Sequence, residues 1–113
     1  MSLENQTMQI IVYAGNAKSM AMAAIKAAKM GQIEEAQGKL TESREHLKIA
    51  HQHHTKILQE YAKNPEEPTN MFMTHAQDHL MSAMTANDFA LEFVELYGTI
   101  DDLKATIKSL ENE

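Results

Sequence analysis

Cysteine is absent from the 113-residue chain. That excludes a disulfide framework, a thiolate metal site and a cysteine nucleophile, and it fits a cytoplasmic protein. Proline occurs twice and glycine four times, so breaks in regular structure are few. No apolar run approaches the ~18–20 residues that a spanning helix needs. The segment Met1 to Gln9 is polar and lacks the basic-then-apolar layout of a signal peptide, so membrane insertion is not expected. An excess of basic residues is also missing: the formal net charge is −6 with histidines neutral. Nucleic-acid binding needs a basic stripe to displace phosphate counterions, and a membrane-surface anchor needs a polybasic segment. Neither is expected here, whereas a partner with a basic docking face is compatible with this charge.

The chain is an ordinary globular mixture, 43% hydrophobic and 23% charged, and long enough for one core. A single domain over 1–113 is expected. Alanine, methionine, leucine, lysine, glutamate and glutamine are plentiful and β-branched residues are scattered, which predicts an all-α fold.

Hydrophobic spacing divides the chain into three helices. The first is expected from Leu3 or Glu4 to Met30, with Met8, Ile11, Val12, Met22 and Ile25 at helical spacing. Ala14, Gly15 and Ser19 lie between them, small enough for a neighbouring helix to approach. Gly31 is the expected stop. The second helix is expected from Ile33 to Lys63, with an inward seam Ile33, Ala36, Leu40, Ser43, Leu47, Ala50, His54, Ile57, Tyr61. Asn64-Pro65-Glu66-Glu67-Pro68 breaks it. The third begins at a cap on Thr69 or Asn70 and persists to about Leu110. Its seam reads Phe72, His75, His79, Ser82, Ala86, Phe89, Phe93, Leu96, Ile100, Leu103, Ile107, Leu110, with Met73, Leu80, Met84, Leu91 and Val94 as a second stripe. From Phe89 onward this seam is expected to be core. Such a helix would be ~60 Å long, whereas a compact domain of this size has a radius of gyration of ~13 Å. Unless Gly98 bends it, the helix needs neighbours along its length, and a self-associating bundle supplies them.

The early part of the third seam is polar where a purely structural bundle would place leucine. His75, His79 and Ser82 lie on it, and Asp78 sits on an adjoining face of the same turn. Burying such groups without partners costs about 1–3 kcal/mol each, so something compensates. A lone seam histidine is commonly a hydrogen-bonded core residue, but two a turn apart beside an aspartate and a proline-marked loop point to a site. On the second helix His54 faces inward, His53 faces water, His46 sits among charged neighbours and His51 is left without a role. Neutral imidazole, with a reference pKa of about 6.5, is a competent nitrogen nucleophile if its other nitrogen is held by an acceptor. Phosphoryl transfer then needs mainly in-line positioning and charge stabilisation. The same histidines and aspartate could instead ligate a metal.

Met73-Thr74-His75-Ala76-Gln77-Asp78-His79-Leu80-Met81 resembles the active-site signature of the enzyme IIA component of the lactose/cellobiose family of the bacterial phosphoenolpyruvate-dependent sugar phosphotransferase system. Tyr13-Ala14-Gly15-Asn16-Ala17-Lys18-Ser19 resembles that family's first-helix motif, Ala27-Ala28-Lys29-Met30-Gly31 the end of the first helix and Ala50-His51 a position in the second. Leu91-Glu92-Phe93-Val94-Glu95-Leu96-Tyr97 resembles the later third helix. The resemblance implies an antiparallel three-helix protomer assembled as a homotrimer. It implies that His75 accepts a phosphoryl group from the phosphocarrier protein HPr and that a cysteine of the cognate IIB component receives it. It further implies that Asp78 and its two symmetry mates share a divalent cation, Mg2+ foremost, on the threefold axis. His79 would support His75. Gln77, about two hundred degrees around the helix from His75, is expected to touch a neighbouring subunit. Ala76 resembles the cellobiose and diacetylchitobiose branch, implying uptake of a β-linked disaccharide.

Two other classes compete: a metal-binding four-helix-type bundle and a non-enzymatic helical adaptor. The first requires Glu-x-x-His on paired helices, but Glu42 and His46 are four apart and no second set exists.

Overall fold

The computed structural model describes residues 2–113, which form α1 (Leu3–Lys29), α2 (Ile33–Lys63) and α3 (Met71–Glu111). Local chemistry sets each boundary. Ser2 caps α1, its Oγ accepting from the Asn5 amide at 3.1 Å. At the other end the Gly31 amide donates to the Ala28 carbonyl at 3.0 Å and the Gln32 amide to the Ala27 carbonyl at 2.9 Å. This pair of reversed bonds needs a left-handed residue between helix and exit, and Gly31 has φ +80°. The chain then enters α2 directly. Asn64 ends α2 ahead of Pro65, and Asn70 caps α3, its Oδ1 accepting from the Met73 amide at 2.8 Å. The Tyr61 hydroxyl donates to the Pro68 carbonyl at 3.0 Å and ties the connector back to α2.

The chain runs up, down and up. α1 packs along both other helices, while α2 and α3 touch each other over less of their length. Ser43 Oγ donates to the Ala17 carbonyl at 2.7 Å and accepts from Asn87 Nδ2 at 2.9 Å, joining all three helices at one buried point. Lys18 on α1 meets Ser82 on α3, and Gly31 lies beside Asp101 further on, so these two helices are parallel.

The buried face of α2 follows the expected seam: Ala36, Leu40, Ser43, Ala50 and Ile57 are buried, with Ile33, Leu47, His54 and Tyr61 half-buried. The other two helices turn differently. α1 buries Thr7, Ile10, Ala14, Ala17, Ala21, Ala24 and Ala28, and the expected core residues Met8, Val12 and Met22 point outward. α3 buries Met73, Ala76, Leu80, Ala83, Ala90 and Val94. The expected core seam from Phe89 onward is instead exposed apart from the half-buried Ile100, with Phe89 60%, Phe93 43% and Leu96 53% accessible. Of the second stripe, Met84 and Leu91 are also exposed. The physical reason is common to both helices: alanine faces let helix axes close to about 8 Å, and bulkier stripes are left on the far side. Ile10, Ile57 and Leu80 fill the remaining gaps and are fully buried, each stabilising the fold by about 1.5–3 kcal/mol.

The molecule measures 73 × 19 × 17 Å with a radius of gyration of 18.9 Å, well above the ~13 Å of a compact domain this size. Asp101 to Glu113, the last turns of α3 and the two residues that follow it, are exposed throughout. No helix among the described residues is long and apolar enough to cross a membrane.

Candidate functional site

His75 and His79 stand one turn apart near the start of α3, on the flank between its buried alanine face and its exposed apolar stripe. His75 is exposed and His79 half-buried. Their Nε2 atoms lie 3.1 Å apart, and the rings meet edge to face with centroids 4.6 Å apart. One of the two nitrogens carries the proton and the other accepts it. When His79 donates, the single lone pair of His75 Nε2 accepts that bond, which keeps Nε2 unprotonated, and the lone pair becomes free for an incoming group once the exposed bond opens.

One turn beyond His79, Ser82 Oγ accepts from the Lys18 ammonium at 3.0 Å. This brings a cation from α1 onto the histidine face of α3. Nothing in the residue spacing along α3 discloses it; the only trace in the sequence is Lys18 itself, within the first-helix motif. Asp78 is exposed on the uncovered stripe of α3 that also carries Phe89 and Leu96. The structure therefore pairs His75 with His79, and among the described residues no hydrogen bond or ion pair joins Asp78 to either. Among the described residues no three histidine or acidic side chains of one protomer converge to hold a metal.

Gln77 has a contact within the protomer that its place on the helix did not suggest. It reaches α2 of its own chain, where Gln77 Nε2 lies 3.1 Å from His54 Nε2. Burial, with the nearby His51, lowers the His54 pKa, and a neutral His54 Nε2 can accept from the Gln77 amide. The contact arises because α2 covers the flank of α3 opposite His75.

Two of the remaining histidines, His46 and His53, belong to the α1–α2 interface. Tyr13 lies between His46 and His53, with centroid separations of 5.6 and 6.3 Å. His53 Nδ1 pairs with Gln6 Oε1, so His53 is half-buried where water had been expected. Burial, then the neighbouring Lys56, lowers the His53 pKa. His46 is also half-buried, and its Nδ1 lacks a partner. His51 is exposed.

Residues 5–98 match the family described as the lactose/cellobiose-specific IIA subunit of the PTS system. The lichenan-specific phosphotransferase enzyme IIA component of Bacillus subtilis is 45% identical over 100 residues, covering 88% of this chain and 91% of that protein. The crystal structure of the PTS cellobiose-specific enzyme IIA from Bacillus anthracis superposes with a TM-score of 0.85 at 34% identity, over 90% of this chain and 94% of that one. A solution structure of the IIA(chitobiose)–HPr complex of the Escherichia coli N,N'-diacetylchitobiose branch superposes with a TM-score of 0.77 at 34% identity, over 88% of this chain and 97% of that one. With a histidine-bearing three-helix fold and a match over most of its length, the chain belongs to the lactose/cellobiose-specific IIA family of the sugar phosphotransferase system, as a phosphotransferase component.

Proposed function

We propose that this protein is a phosphoryl carrier in which His75 receives the group from HPr and hands it to a cysteine of the cognate IIB component. The observation that carries this is the solvent-open His75 ring with its Nε2 held 3.1 Å from His79 Nε2. An acceptor that must meet two protein partners has to be exposed, and its nucleophilic nitrogen must present a lone pair. His79 as N–H donor keeps His75 Nε2 unprotonated, the lone pair attacks once that exposed bond opens, and after transfer the same N–H can donate to a phosphoryl oxygen. The IIA(chitobiose)–HPr complex among the structural relatives supports HPr as the donor. The transported sugar is a β-linked disaccharide of the cellobiose and diacetylchitobiose type, a reading supported by the lichenan, cellobiose and chitobiose relatives.

The working form is a homotrimer packed about its third helices. The exposed apolar stripe of α3 and its uncovered last turns need partners, and Asp78 lies on that stripe. A single carboxylate cannot hold a cation well, but three from three copies supply hard oxygen ligands suited to Mg2+. The metal's work there is neutralising Asp78 charges within the assembly; His75 and His79 do the chemistry.

Incubation with HPr, its kinase and phosphoenolpyruvate, followed by mass spectrometry, tests the central step. One added phosphoryl group per chain is expected, and none on His75→Ala. Unchanged labelling of that variant would move the site to another histidine.

A further inference from the structure

Lys18 is a cation without a carboxylate. The single ion pair among the described residues joins Lys63 to Glu60. Lys18 instead spends its ammonium on a neutral hydroxyl, Ser82 Oγ at 3.0 Å. Among the described residues no other lysine or arginine side chain makes a hydrogen bond. In a chain of net charge −6, with 16 acidic residues to choose from, that pairing calls for a reason.

Position supplies one. Ser82 follows His79 by one turn and His75 by two on the same flank of α3, so the hydroxyl that holds the ammonium belongs to a residue roughly 10.5 Å along the helix from His75. Its stem is flexible and carries three donors, whereas the serine bond is a weak, exposed one. A phosphoryl group on His75 would bring about two negative charges to a surface whose nearest histidine supplies only a neutral N–H.

We infer that Lys18 is the cation that balances the phosphoryl group on His75, held on Ser82 until the group arrives and then turned toward its oxygens. The inference rests on His75 as the acceptor. In the transfer the donor imidazole's N–P bond breaks and its nitrogen keeps the electron pair. A new N–P bond forms from the His75 lone pair, and no proton is gained or lost overall. Lys18 takes no part in bond making; it lowers the free energy of the phosphorylated state. Its effect therefore belongs in the equilibrium distribution of phosphoryl groups between HPr and this protein, which docking contacts cannot alter.

The test equilibrates full-length protein with phosphorylated HPr and measures the partition by phosphohistidine mass spectrometry. Lys18→Gln is expected to lower the partition constant roughly five-fold at low salt, and Lys18→Arg to hold it within about two-fold. The difference between wild type and Lys18→Gln should shrink in ~1 M salt, as screening removes a charge effect. Ser82→Ala should leave the partition unchanged or raise it slightly, because the hydroxyl holds the ammonium only in the unphosphorylated state. An equal partition for Lys18→Gln and wild type overturns the inference. So does a Ser82→Ala loss matching that of Lys18→Gln, since the bond would then be a structural tether. If wild type takes no label at all, His75 as acceptor fails with it.

Discussion

Burial disfavours the charged form of two histidines on α2. His53 and His54 are half-buried, and their pKa values are lowered from the usual 6.5, chiefly by burial and then by Lys56 and His51 respectively. A lowered folded-state pKa means the unfolded chain binds more protons as the pH drops below 6.5. Their contribution to stability is thus present above that value and lost as the pH falls through the folded-state pKa. Thermal melts from about pH 7.5 to about pH 5 should show a falling Tm, and the double variant His53→Gln/His54→Gln should flatten the decline. A slope unchanged by the double variant would show that other groups drive it. His75 is exposed and makes no contact that the core depends on, so His75→Ala should keep its stability within ~0.5 kcal/mol while losing phosphorylation. The His75 and His79 pairing was legible from their spacing on one seam. The partner of Gln77 was not, because residue angles on α3 say nothing of where α2 lies.

Among the helices, ends were more legible than faces. Asn70, Gly31 and the two prolines mark breaks through chemistry local to a few residues, and the helices stop where those residues stand. Gly31 is the clearest case. Its φ of +80° is the reason for glycine, because an added Cβ would meet only Asp101 Oδ1 at an ordinary 3.5 Å. Gly31→Ala is therefore expected to cost about 1–2 kcal/mol through the backbone alone. Urea unfolding should show this as a lower midpoint with an unchanged slope; an unaltered midpoint would mean the α1–α2 corner tolerates another conformation. Faces were harder. α1 and α3 each carry two stripes, one of alanine and one of large apolar residues, and hydrophobicity favours the larger one. Close axial approach rewarded the smaller.

At the scale of the whole molecule, a rod 73 Å long with Phe89, Phe93, Leu96, Leu103, Ile107 and Leu110 exposed is a protomer with apolar surface to cover. An uncovered helical end is marginal on its own, because most helical stability in proteins comes from packing one face. Sedimentation equilibrium should therefore report a trimer at micromolar concentration, and a monomer would remove the basis for Asp78 as an axial ligand. Three Asp78 carboxylates on an axis must bind a cation, share protons or separate. Chelator is expected to lower the Tm of the wild type but not of Asp78→Leu, since leucine replaces a charge cluster with an apolar layer of similar volume. Asp78→Leu should still accept phosphoryl groups at least in part, with His75 intact. Equal insensitivity of both proteins to chelator, with no copurifying metal, would place Asp78 outside any metal site.

The sequence by itself determined three helices, their ends, the inward seam of α2 and the pairing of His75 with His79. These depend on interactions within a few residues or on a single unambiguous stripe. Tertiary structure alone decided which stripe of α1 and of α3 faces the core, that Gln77 meets His54, and that Lys18 comes to rest on Ser82, one turn beyond His79. Each of these turns on the rotation of one helix about its axis relative to another. That rotation is set by the closest packing of whole faces, a property of pairs of helices that no single stretch of residues contains.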